Sequence, residues 1–234
     1  MKYLVIQSFV GCGTWLDVGE DLSKLYDDIL IPSFARYCKR YNYKHVVYRE
    51  QLEIIEKANN KYGDHHGNLY HQYLCALKHK DDDIDYFVFP DADYYVTDNA
   101  LPFIETKYLA GAPWTEDQLR FRNKDPKTFK AVYGGIQIMT KQAAISLGEY
   151  LTSRFTDYIL NDKPIQMHPN MLTVGDWIVE NNIEPEDLSF YYNHILDDIT
   201  DRPWTRQDDE AGFWHLYGED KNQKLNYIWK HMLK

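Results

Sequence analysis

The chain has 234 residues, 44% of them hydrophobic and 26% charged, which excludes a collagen-like or disordered polymer and predicts one domain over residues 1–234. Twenty-six Lys and Arg stand against 36 Asp and Glu, a net charge of −10 that argues against a general duplex-binding surface. No apolar run approaches the ~20 residues of a membrane span, and the opening KYLVIQSFV lacks the features of a signal peptide, so the expectation is a soluble, cytoplasmic protein.

In chain order, Lys2 to Val10 is an apolar, β-branched run that predicts a buried first strand, ended by Gly11-Cys12-Gly13. Leu22, Leu25, Ile29, Ile31 and Phe34 recur at helical spacing, predicting a helix to Tyr41 that bends or restarts near Pro32. Lys44 to Tyr48 reads as a second strand, and this strand–helix–strand opening predicts a parallel sheet with crossover helices. A polar stretch around Asn59 to Gly67 precedes an expected helix over Leu69 to His79. Asp81-Asp82-Asp83 reads as a solvated turn. Strands are expected at Asp85 to Pro90, Tyr108 to Pro113 and Ala131 to Met139, and helices at Lys141 to Leu160, 172–182 and Lys221 to Leu233. The whole reads as an α/β fold with a mainly parallel sheet flanked by helices. Cys12, Cys38 and Cys75 are widely spaced, without a C-x-x-C, and read as reduced core thiols.

Two places carry chemistry. Asp91-Ala92-Asp93 follows the apolar run Tyr86-Phe87-Val88-Phe89, which sets two carboxylates at the carboxyl end of a strand, where open α/β sheets bind ligands. Carboxylates one residue apart suit a hard divalent ion that keeps positions open for diphosphate oxygens. Near the end of the chain, His215-Leu216-Tyr217-Gly218-Glu219-Asp220-Lys221 offers an imidazole to such an ion, a glycine for close approach and a lysine for a phosphate.

The strand leading into D-x-D together with the C-terminal H-x-x-G-x-x-K resembles the GT-A glycosyltransferases, most closely the retaining family 8 of glycogenin and the bacterial galactosyltransferases. Arg36-Tyr37-Cys38 and Lys39-Arg40-Tyr41-Asn42-Tyr43 also resemble a region of the family 34 transferases. The resemblance implies a Rossmann-like nucleotide-diphospho-sugar fold and transfer of a hexose from a UDP-sugar to an acceptor hydroxyl, with retention. It implies Mn²⁺ or Mg²⁺ on Asp91, Asp93 and His215. The diphosphate and donor would meet Asp91, Gln72, Gly134, Gly135, Gly218 and Lys221, with Ser8 and Phe9 at the base or ribose.

Asp176 opens a segment similar to the family's D-Q-x-x-L-N helix and is the expected base if the reaction inverts; Trp177 stands where a glutamine is usual. His71-Gln72 stands where the family often has Arg or Lys. The acceptor is expected to be a glycan, with the basic stretch Arg120, Arg122, Lys124, Lys127 and Lys130 leaving nucleic acid as a lesser option. Two other readings of D-x-D remain open at this point: a haloacid-dehalogenase-type phosphatase, against which Tyr95 and the motif's late position argue, and a non-catalytic, metal-dependent sugar-binding module.

Overall fold

The computed structural model describes residues 1–10, 23–62, 66–132, 135–161, 170–188, 192, 194–195, 203–216 and 220–232. Strand β1 (Tyr3–Ser8) is buried on both faces, as its unbroken apolar run requires. A short helix α1 (Ser23–Leu25) continues through a π-turn at Tyr26–Leu30 into α2 (Ile31–Tyr41). The expected disturbance near Pro32 therefore takes the form of a one-residue register slip just upstream. Ile31 N–H reaches back to Tyr26 O, and the proline then sits in the first turn of α2, where its missing N–H costs little. Asn42, at φ 57°, closes α2 in the left-handed conformation that asparagine tolerates.

Next come β2 (Lys44–Tyr48), α3 (Glu53–Tyr62), α4 (His71–Cys75), β3 (Tyr86–Phe89), β4 (Tyr94–Val96), β5 (Leu109–Gly111) and α5 (Glu116–Phe121). The expected helix over Leu69 to His79 is broken: α4 is flanked by 3₁₀ turns at His66–Tyr70 and Ala76–His79. The chain continues through β6 (Gln137–Thr140), α6 (Lys141–Asn161), α7 (Asn170–Glu180), β7 (Glu186–Asp187), β8 (His194–Ile195), α8 (Arg206–Glu210), β9 (Phe213–His215) and α9 (Lys221–Met232). Among the described residues, no helix is long and apolar enough to cross a membrane.

The large sheet has the order β2-β1-β3-β6-β5-β7. Five strands share one direction; β6 alone runs against its neighbours β3 and β5. The strand expected at Ala131 to Met139 is thus shorter, begins at Gln137 and is antiparallel. It leads straight into α6, a direction that the apolar run could not reveal. A second, three-stranded sheet, β4-β9-β8, was not expected. Its strands are too short to show a two-residue alternation.

Period-two packing splits the core. Leu4, Ile6, Phe87, Phe89, Leu109 and Met139 face the layer of α3, α4, α6 and α7. Tyr3, Val5, Val88, Ala110 and Ile138 face α2 and the small sheet, against Phe34, Tyr37, Tyr94 and Phe213. Many of the 20 tyrosines pack in this second layer. Tyr41, Tyr37, Tyr192 and Tyr3 donate their phenol hydrogens to the carbonyls of Ala100, Leu101, Pro102 and Ile104, at 2.8, 2.8, 2.7 and 3.1 Å. The 100–104 segment forms no ladder of its own, so these hydroxyls satisfy its backbone acceptors. Asp81-Asp82-Asp83 is a turn, as expected, with Asp82 paired to Lys44 and His79 and Asp83 to Lys2. Cys38 and Cys75 are buried free thiols, and Cys12 lies outside the described residues.

Candidate functional site

The carboxyl edge of the large sheet is where the chemistry gathers. β3 ends at Phe89, and Pro90 removes the next backbone donor, so the chain leaves the ladder and presents Asp91. Two residues later it enters β4. Tyr94 pairs with His215 of the antiparallel β9, and Leu216 N–H donates to Asp93 O at 3.0 Å. The small sheet therefore delivers His215 to the D-x-D segment across more than a hundred residues of sequence. Lys221, the first residue of α9, follows from the same strand.

The contacts are close. His215 Nε2 lies 3.2 Å from Asp93 Oδ1, and Lys221 Nζ donates to Asp93 Oδ2 at 2.9 Å and to Leu216 O at 3.0 Å. Lys221 is 3% exposed, so its ammonium is held by these oxygens rather than by water. The His215 ring stacks on Tyr94 with centroids 4.6 Å apart, which fixes the plane of the imidazole.

Charge is unevenly shared. Burial pushes Asp91 up to about 8, and Asp93 adds to the rise, although His215 and Lys221 oppose it. Asp93 is largely desolvated too, but His215 and Lys221 hold it well below the usual carboxylate range. Burial disfavours charge on His215, yet the two carboxylates prevail and raise it above an ordinary imidazole.

Asp91, Asp93 and His215 each offer one ligand atom, all within 4.8 Å of one another, so the group could hold a metal ion. Ligands at ~2.2 Å from one ion span at most ~4.4 Å, so a closure of a few tenths of an ångström completes the set. Two carboxylates and an imidazole suit a divalent cation, and one there would relieve the desolvated Asp91 carboxylate. The residues fit the ion.

The other sequence candidates fall in three groups. Ser8 ends β1, one strand from Asp91, and its Oγ lies 2.7 Å from His71 Nδ1. Phe9 packs on Tyr26, with the Arg49 guanidinium 5.2 Å above its ring. Arg49 escaped the sequence reading although it directly follows the strand Lys44–Tyr48, a position that puts a cation on the ligand edge. Gln72 is 5% exposed and sits beside Tyr73, a buried phenol whose ionisation Asp91 opposes. Gly135 is described, whereas Gly134 and Gly218 lie outside the described residues.

Asp176 stands apart from the carboxylate–imidazole group. It lies on α7, 3.4 Å from Lys124 Nζ. Trp177 points into the core, donating to Ser146 Oγ at 3.3 Å. An indole buried this way does not substitute for a glutamine facing a ligand. The basic stretch is largely answered locally: Arg120 pairs with Glu116 and Asp117, Lys124 with Asp176, and Lys130 with Glu184.

Comparison with solved structures identifies the architecture. A glycosyltransferase involved in glycosylating the major capsid of PBCV-1 superposes with a TM-score of 0.55 at 13% identity, over 97% of this chain and 98% of that one. The chain has the GT-A fold. A Drosophila β1,4-galactosyltransferase 7 variant, solved with manganese, UDP-Gal and xylobiose, aligns at a TM-score of 0.41 and 12% identity, over 93% of this GT-A chain and 71% of that one. No protein-family model matches the sequence, and no curated protein does.

Proposed function

We infer that the chain is a metal-dependent glycosyltransferase, a single domain over residues 1–234, which transfers a hexose from a UDP-sugar to an acceptor hydroxyl. The observation that carries this reading is the meeting of Asp91, Asp93, His215 and Lys221 at the carboxyl edge of a GT-A sheet. The family 8 resemblance adds retention of anomeric configuration, a UDP donor and a glycan acceptor.

In the reaction the bond from the anomeric carbon to the β-phosphate oxygen breaks, and the acceptor oxygen bonds to that carbon. Negative charge collects on the departing diphosphate. Mn²⁺ or Mg²⁺ held by Asp91, Asp93 and His215 supplies Lewis-acid stabilisation of that charge when bound. Lys221, now on Asp93, would offer its ammonium to a phosphate oxygen, an anionic partner of the same kind. The departing phosphate oxygen takes the acceptor's proton under retention; under inversion Asp176 is the available carboxylate. Gln72, Gly134, Gly135 and Gly218 line the donor in this reading, with Ser8 and Phe9 at the nucleoside.

The test is a panel of UDP-, GDP- and CDP-sugars, assayed for nucleotide diphosphate release with and without Mn²⁺. UDP release from a UDP-hexose that requires Mn²⁺, and that falls at least about a hundredfold in Asp91→Asn and Asp93→Asn, is the expected result. Metal-independent release, or wild-type rates in both variants, would contradict it. Donor binding without any release would make the chain a sugar-nucleotide-binding module.

A further inference from the structure

The hydrogen-bond directions at the end of β1 restrict what can bind there. Val5 stands opposite Val88 in the parallel pair of β1 and β3, so both strands run out at the same carboxyl edge of the sheet, β1 at Ser8 and β3 at Phe89, two residues before Asp91. Ser8 therefore lies on the sheet edge from which the carboxylate segment leaves, and it is partly open. Behind it, His71 is completely buried. His71 Nε2 lies 3.0 Å from the carbonyl oxygen of Glu50, and a carbonyl only accepts, so Nε2 carries a hydrogen. Burial, aided by the Lys78 charge, holds the ring below the ordinary imidazole range although the Glu50 carbonyl opposes this, so no second proton is added at neutral pH. Nδ1 is then a bare lone pair. At 2.7 Å it must receive the hydroxyl hydrogen of Ser8. Cys75 Sγ, 3.5 Å from the same nitrogen, is a weaker and longer donor.

An ordinary serine turns its hydroxyl to suit donors and acceptors alike. Ser8 cannot, because its one hydrogen is committed inward and only lone pairs face the ligand edge. We propose that His71 is a positioning residue that fixes Ser8 as a hydrogen-bond acceptor, so that the donor's nucleoside is selected by a hydrogen it presents there. That hydrogen belongs to a ring N–H, as at N3 of uracil, or to the ribose 2′-hydroxyl. Cytosine, whose N3 is a bare lone pair, would meet the Ser8 oxygen lone pair to lone pair. The inference rests on the glycosyltransferase reading, which puts the nucleoside at this edge.

Calorimetry on the full chain with Mn²⁺ tests it, using UDP, CDP and 2′-deoxy-UDP as ligands. Wild type should bind UDP at least about tenfold more tightly than CDP if the ring N–H is the contact, or than 2′-deoxy-UDP if the hydroxyl is, because a site built for a hydrogen rejects a ligand lacking it. The preference should shrink to within about threefold in Ser8→Ala and His71→Leu. It should survive in His71→Asn, whose side-chain oxygen can accept from Ser8 in place of Nδ1. Should His71→Leu fail to fold, Ser8→Ala makes the same comparison with one oxygen removed. A purely structural role for His71 would alter affinity for all three ligands together and leave their ratio unchanged. Equal binding of the three ligands to wild type, or a preference that persists in Ser8→Ala, overturns the inference alone. Failure of wild type to bind any of the three in Mn²⁺ overturns the glycosyltransferase reading itself.

Discussion

Asp93 shows how one side chain can organise a site before any ligand arrives. Its two oxygens are taken by His215 and Lys221, both from the C-terminal segment, so its charge costs little although only 17% of the side chain is exposed. Asp91 lacks that compensation and stays near its proton, which makes it the carboxylate with most to gain from a cation. Elsewhere a buried imidazole contributes to the acid response of the molecule. His45 Nε2 donates to Gln7 Oε1 at 2.8 Å across β1 and β2, and burial lowers its pKa to about 4. An unfolded histidine titrates near ~6.5, so above that pH neither state is charged and the full stability is present. As pH falls from ~6.5 toward ~4 the unfolded chain takes up a proton that folded His45 refuses, and stability drops by up to ~1.4 kcal/mol per pH unit. Urea denaturation at pH 7 and pH 5 should show this loss, and His45→Gln should flatten the dependence; an equal slope in the variant would refute it.

At the scale of elements, the 100–104 segment is held by phenols rather than by a ladder. Tyr37→Phe removes the donor to Leu101 O while keeping the ring that packs on Phe103 and Phe213, so the expected cost is ~1–2 kcal/mol. A fall in Tm with an unchanged near-ultraviolet spectrum would confirm that the hydrogen bond, and not the packing, is lost; no change in Tm would contradict it. Elements with long apolar periods were legible in the sequence: β1, α2, β2, β3, α6 and α9 fall where their patterns put them. α3 was missed because Glu53, Glu56, Lys57 and Lys61 outnumber its buried anchors Ile55 and Ala58. β4, β8 and β9, of two or three residues each, leave no readable period and owe their pairing to tertiary contacts.

At the scale of the whole molecule, that unreadable small sheet carries the active geometry. The D-x-D strand end and the His215–Lys221 segment were each visible as residues. What joins them is the Tyr94–His215 pairing, a register that depends on three-dimensional contact. Ser8 was legible as an edge residue, whereas the direction of its hydrogen bond depends on His71 and Glu50, brought together by packing. Asp176 was read from a local motif, and packing alone supplies its neighbour, Lys124, 3.4 Å away. The central claim is that Asp91, Asp93 and His215 form one divalent-metal centre, and Mn²⁺ binding followed by pulsed electron paramagnetic resonance tests it most directly. The account predicts one bound Mn²⁺ with ¹⁴N coupling that disappears in His215→Ala, and affinity at least about tenfold weaker in Asp91→Asn and Asp93→Asn. Mn²⁺ bound without nitrogen coupling, or equally well by wild type and both asparagine variants, would contradict it.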